Sequence, residues 1–185
     1  MEVDRFLRTS NPRIYAAGDV VGRDAYTHAA YHHARLVIGN ALFGQRGSVE
    51  ELVLPHATYT EPELASVGVV GEAAESDPSL TAYVAKVDAN DRCRTEGETA
   101  GFLRVWVDGR GQIRGATLVG RHAGELLAPI TVAMTHRIPL HKLATTVFPY
   151  PTRSELLFSV ASQYQRTRLA PWMKQGLRFV LDVLR

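Results

Sequence analysis

The chain has 185 residues, of which 45% are hydrophobic and 22% charged, and its formal net charge is +2 at pH 7. This composition is typical of a soluble globular protein with one domain, or with one domain and part of another. The small, scattered charge argues against nucleic-acid binding, no apolar run approaches the roughly 18 residues of a membrane span, and the start "MEVDRFLR" lacks the features of a signal peptide.

The first region, residues 1–50, is predicted to be a strand-to-helix unit. Residues 2–7 alternate and residues 13–17 form a short apolar run, so both are predicted strands, whereas residues 25–43 repeat apolar side chains at helical spacing. The stretch "GQRGSVEELVLP" then has the composition of a linker. A new domain is therefore predicted to start near Leu52.

The second region, residues 52–166, changes to short strands followed by helices. The predicted strands are residues 57–60, 64–68, 81–88, 102–107 and 112–119, and the predicted helices are residues 123–136 and 152–166. The turn "DGRG" favours a hairpin between the last two strands. Pro129 should cost about 3 kcal/mol inside an unbroken helix, which predicts a kink or an N-terminal break. The pattern indicates an α+β fold with an antiparallel five-stranded sheet.

The last region, residues 167–185, is predicted to be an amphipathic basic helix. Its apolar residues share one helical stripe and its charged residues lie opposite. Two interpretations stay open, a helix packed on its own domain and a helix in peripheral contact with an anionic membrane surface.

Gly18 and Asp19 end the second short apolar run. A carboxylate at the carboxyl end of such a strand can accept hydrogen bonds from ribose or ribitol hydroxyls, although Asp19 could instead simply cap a turn. The first amides of the next predicted helix, near Thr27 and His28, would present a positive dipole end to the same ligand. An electron-rich flavin ring would suit this place.

Two further candidates have weaker support. His28 and His32 are four residues apart on a predicted helix, with His33 beside them, so they could share one face and bind a metal ion. The favoured interpretation is that they are ordinary helix residues, and no metal site is assigned. Cys93 lies between two arginines, which would lower its thiol pKa if it were exposed, yet a plain loop cysteine is favoured. A single cysteine excludes an internal disulfide and suits a reducing cytoplasm.

Four stretches carry a family resemblance, in order and at the expected spacing: "TSNPRIYAAGDV", "ATYTEPELASVG", "GFLRVWVDGRGQIRGATLVGRHAGELL" and "FPYPTRSELL". The first resembles the second flavin-binding motif of the pyridine nucleotide-disulfide oxidoreductases. The next two resemble the opening, central hairpin and following helix of that family's dimerisation domain, and the last resembles its C-terminal active-site motif. Together they cover nearly all of residues 1–165.

This resemblance implies the C-terminal part of a longer flavoenzyme, because the family's phosphate-binding glycine loops and Cys-x4-Cys dithiol are absent from the sequence. Residues 1–50 would be the remnant of the FAD-binding domain, residues 52–166 the dimerisation domain, and the protein a cytoplasmic homodimer that uses FAD and NAD(P)H. Asp19, after Gly18, would contact the flavin ribitol, and the amides of Thr27 and His28 would face the flavin ring. By itself the chain is expected to be inactive and to hold no stoichiometric FAD.

The last motif departs from the family at one residue. Pro151, Thr152 and Glu155 match, but Tyr150 stands where the family has the histidine that exchanges a proton with the partner subunit's thiol. A phenol with a pKa of about 10 is a poor base at pH 7, though it can form hydrogen bonds. Tyrosine here resembles the mercuric reductase branch, whose C-terminal cysteine pair this sequence lacks. Tyr150 and Glu155 are the implied catalytic residues; a non-catalytic dimerisation module is the alternative.

Overall fold

A computed structural model of the protein describes residues 1–168, which fall into two compact units, Met1–Leu54 and a second beginning at Pro55. The second unit begins close to the boundary predicted near Leu52. Most of the predicted C-terminal helix lies outside the described residues, so its packing and its membrane contact stay predictions. Within residues 1–168, no helix is both long and apolar enough to cross a bilayer.

The first unit is built around helix α1, Thr27–Leu42, which confirms the helix predicted for residues 25–43. The two predicted strands, residues 2–7 and 13–17, are wrong: residues 1–54 contain one isolated antiparallel bridge, between Arg8 and Tyr15. The Asp4 carboxylate accepts hydrogen bonds from the amides of Phe6 and Arg8 and thereby folds the first segment into a turn. An apolar segment forms a strand only where a neighbouring strand takes up its backbone groups.

The second unit contains one five-stranded antiparallel sheet. The strands are β1 Pro55–Thr58, β2 Leu64–Gly68, β3 Thr81–Lys86, β4 Phe102–Val107 and β5 Ile113–Val119, and their spatial order is β1-β2-β5-β4-β3. The helices of this unit are α2 Glu72–Glu75, α3 Asp91–Thr95, α4 Ala123–Thr135, α5 Leu140–Leu143 and α6 Glu155–Thr167. The predicted α+β fold with five antiparallel strands is confirmed.

One face of the sheet forms the core of this unit. Alternate residues of β4, Leu103, Val105 and Val107, are almost fully buried because α4 and α6 pack against the sheet. Ile130 of α4 and Leu157 of α6 are buried opposite them. Burial alternates over the first half of β4, as expected for a sheet covered on one face, whereas Trp106, between Val105 and Val107, is buried as well.

The long helices differ from prediction in detail. Helix α4 runs without interruption through Pro129. Of the two predicted alternatives, the N-terminal break is therefore wrong, and the kink stays a prediction. The buried residues Leu127 and Ile130 of α4 flank the proline and hold both halves of the helix on the sheet, while Pro129 itself is exposed. The last helix begins at Glu155 and not at Thr152, because the residues before Glu155 form the loop of the "FPYPTRSELL" motif.

Candidate functional site

Tyr150 projects from the loop that precedes α6. Its side chain is 71% exposed, and its phenol donates a hydrogen bond of 2.8 Å to Oδ2 of Asp91. This hydrogen bond, followed by the negative charge of Asp91, raises the pKa of Tyr150 above its ordinary value. The phenol is therefore neutral at pH 7, and its single proton is directed at Asp91.

Glu155, the second residue predicted from the motif, is the first residue of α6 and is partly buried. Its Oε2 accepts a long hydrogen bond of 3.4 Å from the amide of Thr152, whose hydroxyl donates to the carbonyl of Pro149 at 2.7 Å. Glu155 thus stabilises the conformation of its own loop. Tyr150 forms its hydrogen bond with Asp91 and not with Glu155.

The short helix α3 holds this loop from the other side. Asn90 is buried and caps α3, because its Oδ1 accepts a hydrogen bond from the amide of Cys93 at 3.0 Å. The Nδ2 group of the same side chain donates to the carbonyl of Thr152, also at 3.0 Å. One asparagine therefore fixes both the start of α3 and the backbone two residues after Tyr150.

An alternating row of five charges reinforces this contact. In order along the row these are Arg92, Glu96, Arg153, Glu98 and Arg121. The Arg153 guanidinium bonds both glutamates and its side chain is only 14% exposed, while Arg92 bonds Glu96 at 2.6 Å and Arg121 bonds Glu98 at 2.7 Å. The hydrogen bonds from Arg121 and Arg153 lower the pKa of Glu98. The row ties the motif loop to the segment after α3.

Cys93 lies next to this row, and its surroundings do not favour a reactive thiol. The residue is 2% exposed, and burial raises the pKa of its thiol even though the nearby Arg153 guanidinium acts in the opposite direction. Activation by Arg92 and Arg94 was expected only for an exposed thiol, and this condition is not met, because both arginines are exposed whereas the thiol is buried.

The first unit carries the other predicted site residues. Gly18 is buried with φ of +75°, and a Cβ at this position would lie 3.1 Å from Cβ of Ala30, in the first turns of α1. Its amide donates to Nδ1 of the fully buried His33 at 3.2 Å. These contacts hold Asp19, whose side chain is exposed, beside the N-terminal half of α1.

Thr27 and His28 are the first two residues of α1, and no side chain caps this helix start. The three neighbouring histidines have different surroundings: His28 stacks on Tyr26, His32 meets the edge of Tyr31, and His33 is buried, where desolvation lowers its pKa. Among residues 1–168 no group of three or more histidine, cysteine or acidic side chains could hold a metal ion.

Asp19 and the start of α1 are the groups of the first unit that could hold part of a flavin dinucleotide. Asp19 offers an exposed carboxylate that can accept hydrogen bonds from hydroxyl groups, and the start of a 16-residue helix favours an electron-rich ring. The close approach of Gly18 to α1 explains why only glycine fits before the carboxylate.

Three residues of the second unit were not found from the sequence: Asn90, Asp91 and Arg153. An asparagine before a short helix is a recognisable N-cap signal, but "NDRC" gives no hint of the loop that it contacts. Asp91 and Tyr150 are 59 positions apart in the chain. No local spacing rule connects them.

Comparison with known proteins places this geometry in context. Residues 54–160 match the sequence family described as pyridine nucleotide-disulphide oxidoreductase, dimerisation domain. Among curated proteins, a mercuric reductase of Streptomyces lividans is 32% identical over 164 residues, which are 88% of this chain and 35% of that protein. A dihydrolipoyl dehydrogenase of Geobacillus stearothermophilus is also 32% identical over 164 residues, 87% of this chain and 34% of that protein. The chain thus spans about a third of these relatives.

Solved structures agree with the sequence matches. LpdA from Mycobacterium tuberculosis has a TM-score of 0.82 at 28% identity, with 88% of this chain and 36% of that chain covered. The HOCl-induced flavoprotein disulfide reductase RclA from Escherichia coli has a TM-score of 0.78 at 27% identity, with 87% and 38% covered.

Proposed function

The chain belongs to the pyridine nucleotide-disulphide oxidoreductases through its dimerisation domain, and from this premise we propose that it is part of an FAD-dependent NAD(P)H reductase. The first unit would end the FAD-binding domain, and the second would dimerise and complete the active site of the partner subunit. The supporting observation is the exposed phenol of Tyr150, held in place on the unit that matches the dimerisation domain.

The first unit would supply a fraction of the flavin contacts. Asp19 would accept hydrogen bonds from ribitol hydroxyls, and the amides of Thr27 and His28 would face the pyrimidine edge of the ring. When bound, the flavin would pass electrons from the nicotinamide cofactor towards the acceptor. These groups are too few to bind a dinucleotide tightly, so the 185-residue chain should purify without stoichiometric FAD. A yellow, flavin-loaded preparation would contradict this.

The second unit would act at the two-fold interface. Tyr150 would reach the partner's dithiol and form a hydrogen bond with the reacting group, and Glu155 would keep the loop folded behind it. A neutral phenol cannot replace a histidine as a proton carrier at pH 7. A simple disulfide substrate is therefore disfavoured, and a metal ion bound by thiolates, as in the mercuric reductases, or another acceptor is proposed.

The half-reactions of the full-length protein test the role of Tyr150. Tyr150→Phe should slow reduction of the acceptor about 10²-fold and leave flavin reduction by the nicotinamide cofactor unchanged, because the first half-reaction does not use the cross-subunit site. Tyr83→Phe is the matched control, since this phenol shares its hydrogen bond with Thr167 on the same unit. Wild-type turnover of Tyr150→Phe with every acceptor tried would remove Tyr150 from the active site.

Hybrid dimers test whether the site is shared between subunits. One subunit carries Tyr150→Phe with an intact dithiol, and the other carries Tyr150 with the dithiol removed. If Tyr150 acts on the partner's dithiol, the hybrid has one intact site and recovers about half of the wild-type rate, although both parent homodimers are impaired. A hybrid no more active than its parents would place Tyr150 in its own subunit's site.

The alternative function is a dimerisation module without redox chemistry. A symmetric dimer is expected under either function, and obligate contacts of this kind commonly bury more than about 2,000 Å². Sedimentation that shows a monomer at micromolar concentration would count against both. A dimeric full-length protein without flavin or NAD(P)H oxidation would favour the alternative.

A further inference from the structure

We infer that Asp91 is a positioning residue for Tyr150, which fixes the ring in the direction of the partner subunit and leaves the phenol oxygen free to accept a hydrogen bond from the reacting group. This inference rests on the proposed function. It names Asp91, which lies outside the motif, as the residue that orients Tyr150. Asp91 itself would touch neither substrate nor cofactor.

The exposure of Tyr150 is the first support. A ring that is 71% exposed has few packing contacts, so its direction depends on polar contacts at its tip. The hydrogen bond of 2.8 Å to Oδ2 of Asp91 supplies that contact. An unanchored surface tyrosine would sample several rotamers, and holding one of them removes an entropic cost from the reaction.

The rigidity of α3 is the second support. Asp91 lies between two residues that are tied to the same loop: Asn90 donates to the carbonyl of Thr152, and Arg92 bonds Glu96, which in turn bonds Arg153 of the loop. Three consecutive residues at the start of α3 therefore contact one loop, directly or through a single intervening glutamate. Asp91 is thus fixed relative to the backbone that carries Tyr150.

The direction of the hydrogen bond determines the chemistry. A phenol has one proton, and here that proton is donated to the carboxylate of Asp91. The remaining lone pairs of the oxygen point away from Asp91 and can accept a hydrogen bond from a thiol or contact a metal ion held as substrate. The carboxylate also disfavours the tyrosinate, since the hydrogen bond and charge of Asp91 raise the pKa of Tyr150.

Tyrosine titration in the 185-residue chain tests the pair directly. With tyrosines labelled at 13Cζ, the Tyr150 resonance is the one lost in Tyr150→Phe. Its midpoint should lie above the ordinary tyrosine value in the wild type, fall towards that value in Asp91→Ala, where burial and the charge of Glu155 still act, and lie between the two in Asp91→Asn, which keeps an acceptor oxygen without the charge. Unchanged shifts of the other six tyrosines establish that each variant is folded.

Asp88→Ala is the control for the loss of one charge, because Asp88 is an exposed carboxylate three residues before Asp91. It should leave the midpoint of Tyr150 at its wild-type value. An equal midpoint in wild type and Asp91→Ala, or an equal fall in Asp88→Ala, would overturn the inference.

Half-reaction kinetics of the full-length protein separate this inference from the proposed function. Asp91→Ala should slow acceptor reduction and have no further effect when Tyr150 is already phenylalanine. If Tyr150→Phe slows the acceptor step but Asp91→Ala does not, the inference fails and the proposed function stands. If Tyr150→Phe has no effect, the proposed role of Tyr150 fails, and the inference falls with it because Asp91 has nothing to position.

Discussion

Removal of the Arg153 side chain should destabilise the second unit. A hydrogen bond to a charged group contributes about 1.5–3 kcal/mol, and breaking a buried ion pair costs about 3–5 kcal/mol. The side chain of Arg153 is 14% exposed, but Glu96 and Glu98 are 25% exposed and keep a second partner each, Arg92 and Arg121. These remaining contacts reduce the loss, so we expect Arg153→Ala to lower the free energy of unfolding by about 2 kcal/mol.

Urea denaturation of the 185-residue chain measures this loss. Trp106 of β4 is 3% exposed and reports on the second unit, provided that Trp172→Phe removes the other tryptophan signal. With a slope of about 2 kcal/mol per molar urea, the midpoint should fall by about 1 M. Arg110→Ala is the matched control, because Arg110 is exposed in the hairpin turn and surface changes usually stay within about 0.5 kcal/mol. Equal midpoints for the two variants would refute the reasoning.

The pH dependence of the difference in unfolding free energy between wild type and Arg153→Ala tests whether the lost ion pairs cause it. The pKa of Glu98 is lowered in the folded chain by its two arginines. A carboxylate whose pKa is lowered by folding contributes stability above its unfolded pKa of about 4.3, and this stability is lost as the pH falls through the folded value. The difference between wild type and Arg153→Ala should therefore be full at pH 7 and shrink in strong acid. A difference that persists there would indicate lost packing and not lost charge.

Three further expectations concern other parts of the chain. Because burial lowers the pKa of His33, the first unit should lose stability as the pH falls below about 6.5, and His33→Asn should abolish this dependence in a thermal-unfolding series. Gly115→Ala should lower the free energy of unfolding in urea by about 3 kcal/mol or more, since its Cβ would lie 1.9 Å from the carbonyl oxygen of Val69. The control Gly109→Ala, where a Cβ has open space around it, should change this free energy very little. Asn90→Ala should cost about 2 kcal/mol by the same assay through the loss of two hydrogen bonds, and an unchanged midpoint would contradict the capping role.

The sheet was largely predictable because its signals are local. Strand β4, Phe102–Val107, has the predicted ends, and strand β5, Ile113–Val119, starts one residue later than predicted. Both were predictable because side-chain alternation and the glycine-containing turn between the two strands are visible in the sequence. Prediction failed in residues 1–17. There, apolar composition indicated strands, but a strand also requires neighbours, and these are not determined by the segment itself.

The candidate site was predictable only in part. Sequence motifs selected Gly18, Asp19, Tyr150 and Glu155, and the structure shows where each lies, but their roles at a cofactor or a reacting group stay proposals. The contacts that fix the loop were missed, because Asp91 and Arg153 meet their partners across more than 50 positions of sequence. Such tertiary polar contacts follow from the fold and not from any repeat or spacing along the chain.

The exchange of a histidine for a tyrosine gives a reason for the positioning role that we propose for Asp91. An imidazole has two polar atoms, so it can bond an orienting carboxylate through one nitrogen and act on a substrate through the other. A phenol has one oxygen for both tasks. In Tyr150 the proton is given to Asp91, and only lone pairs remain for the reacting group. Under the proposed function, such a site would be unable to deliver or remove a proton at neutral pH, and it would favour acceptors that bring their own proton or positive charge.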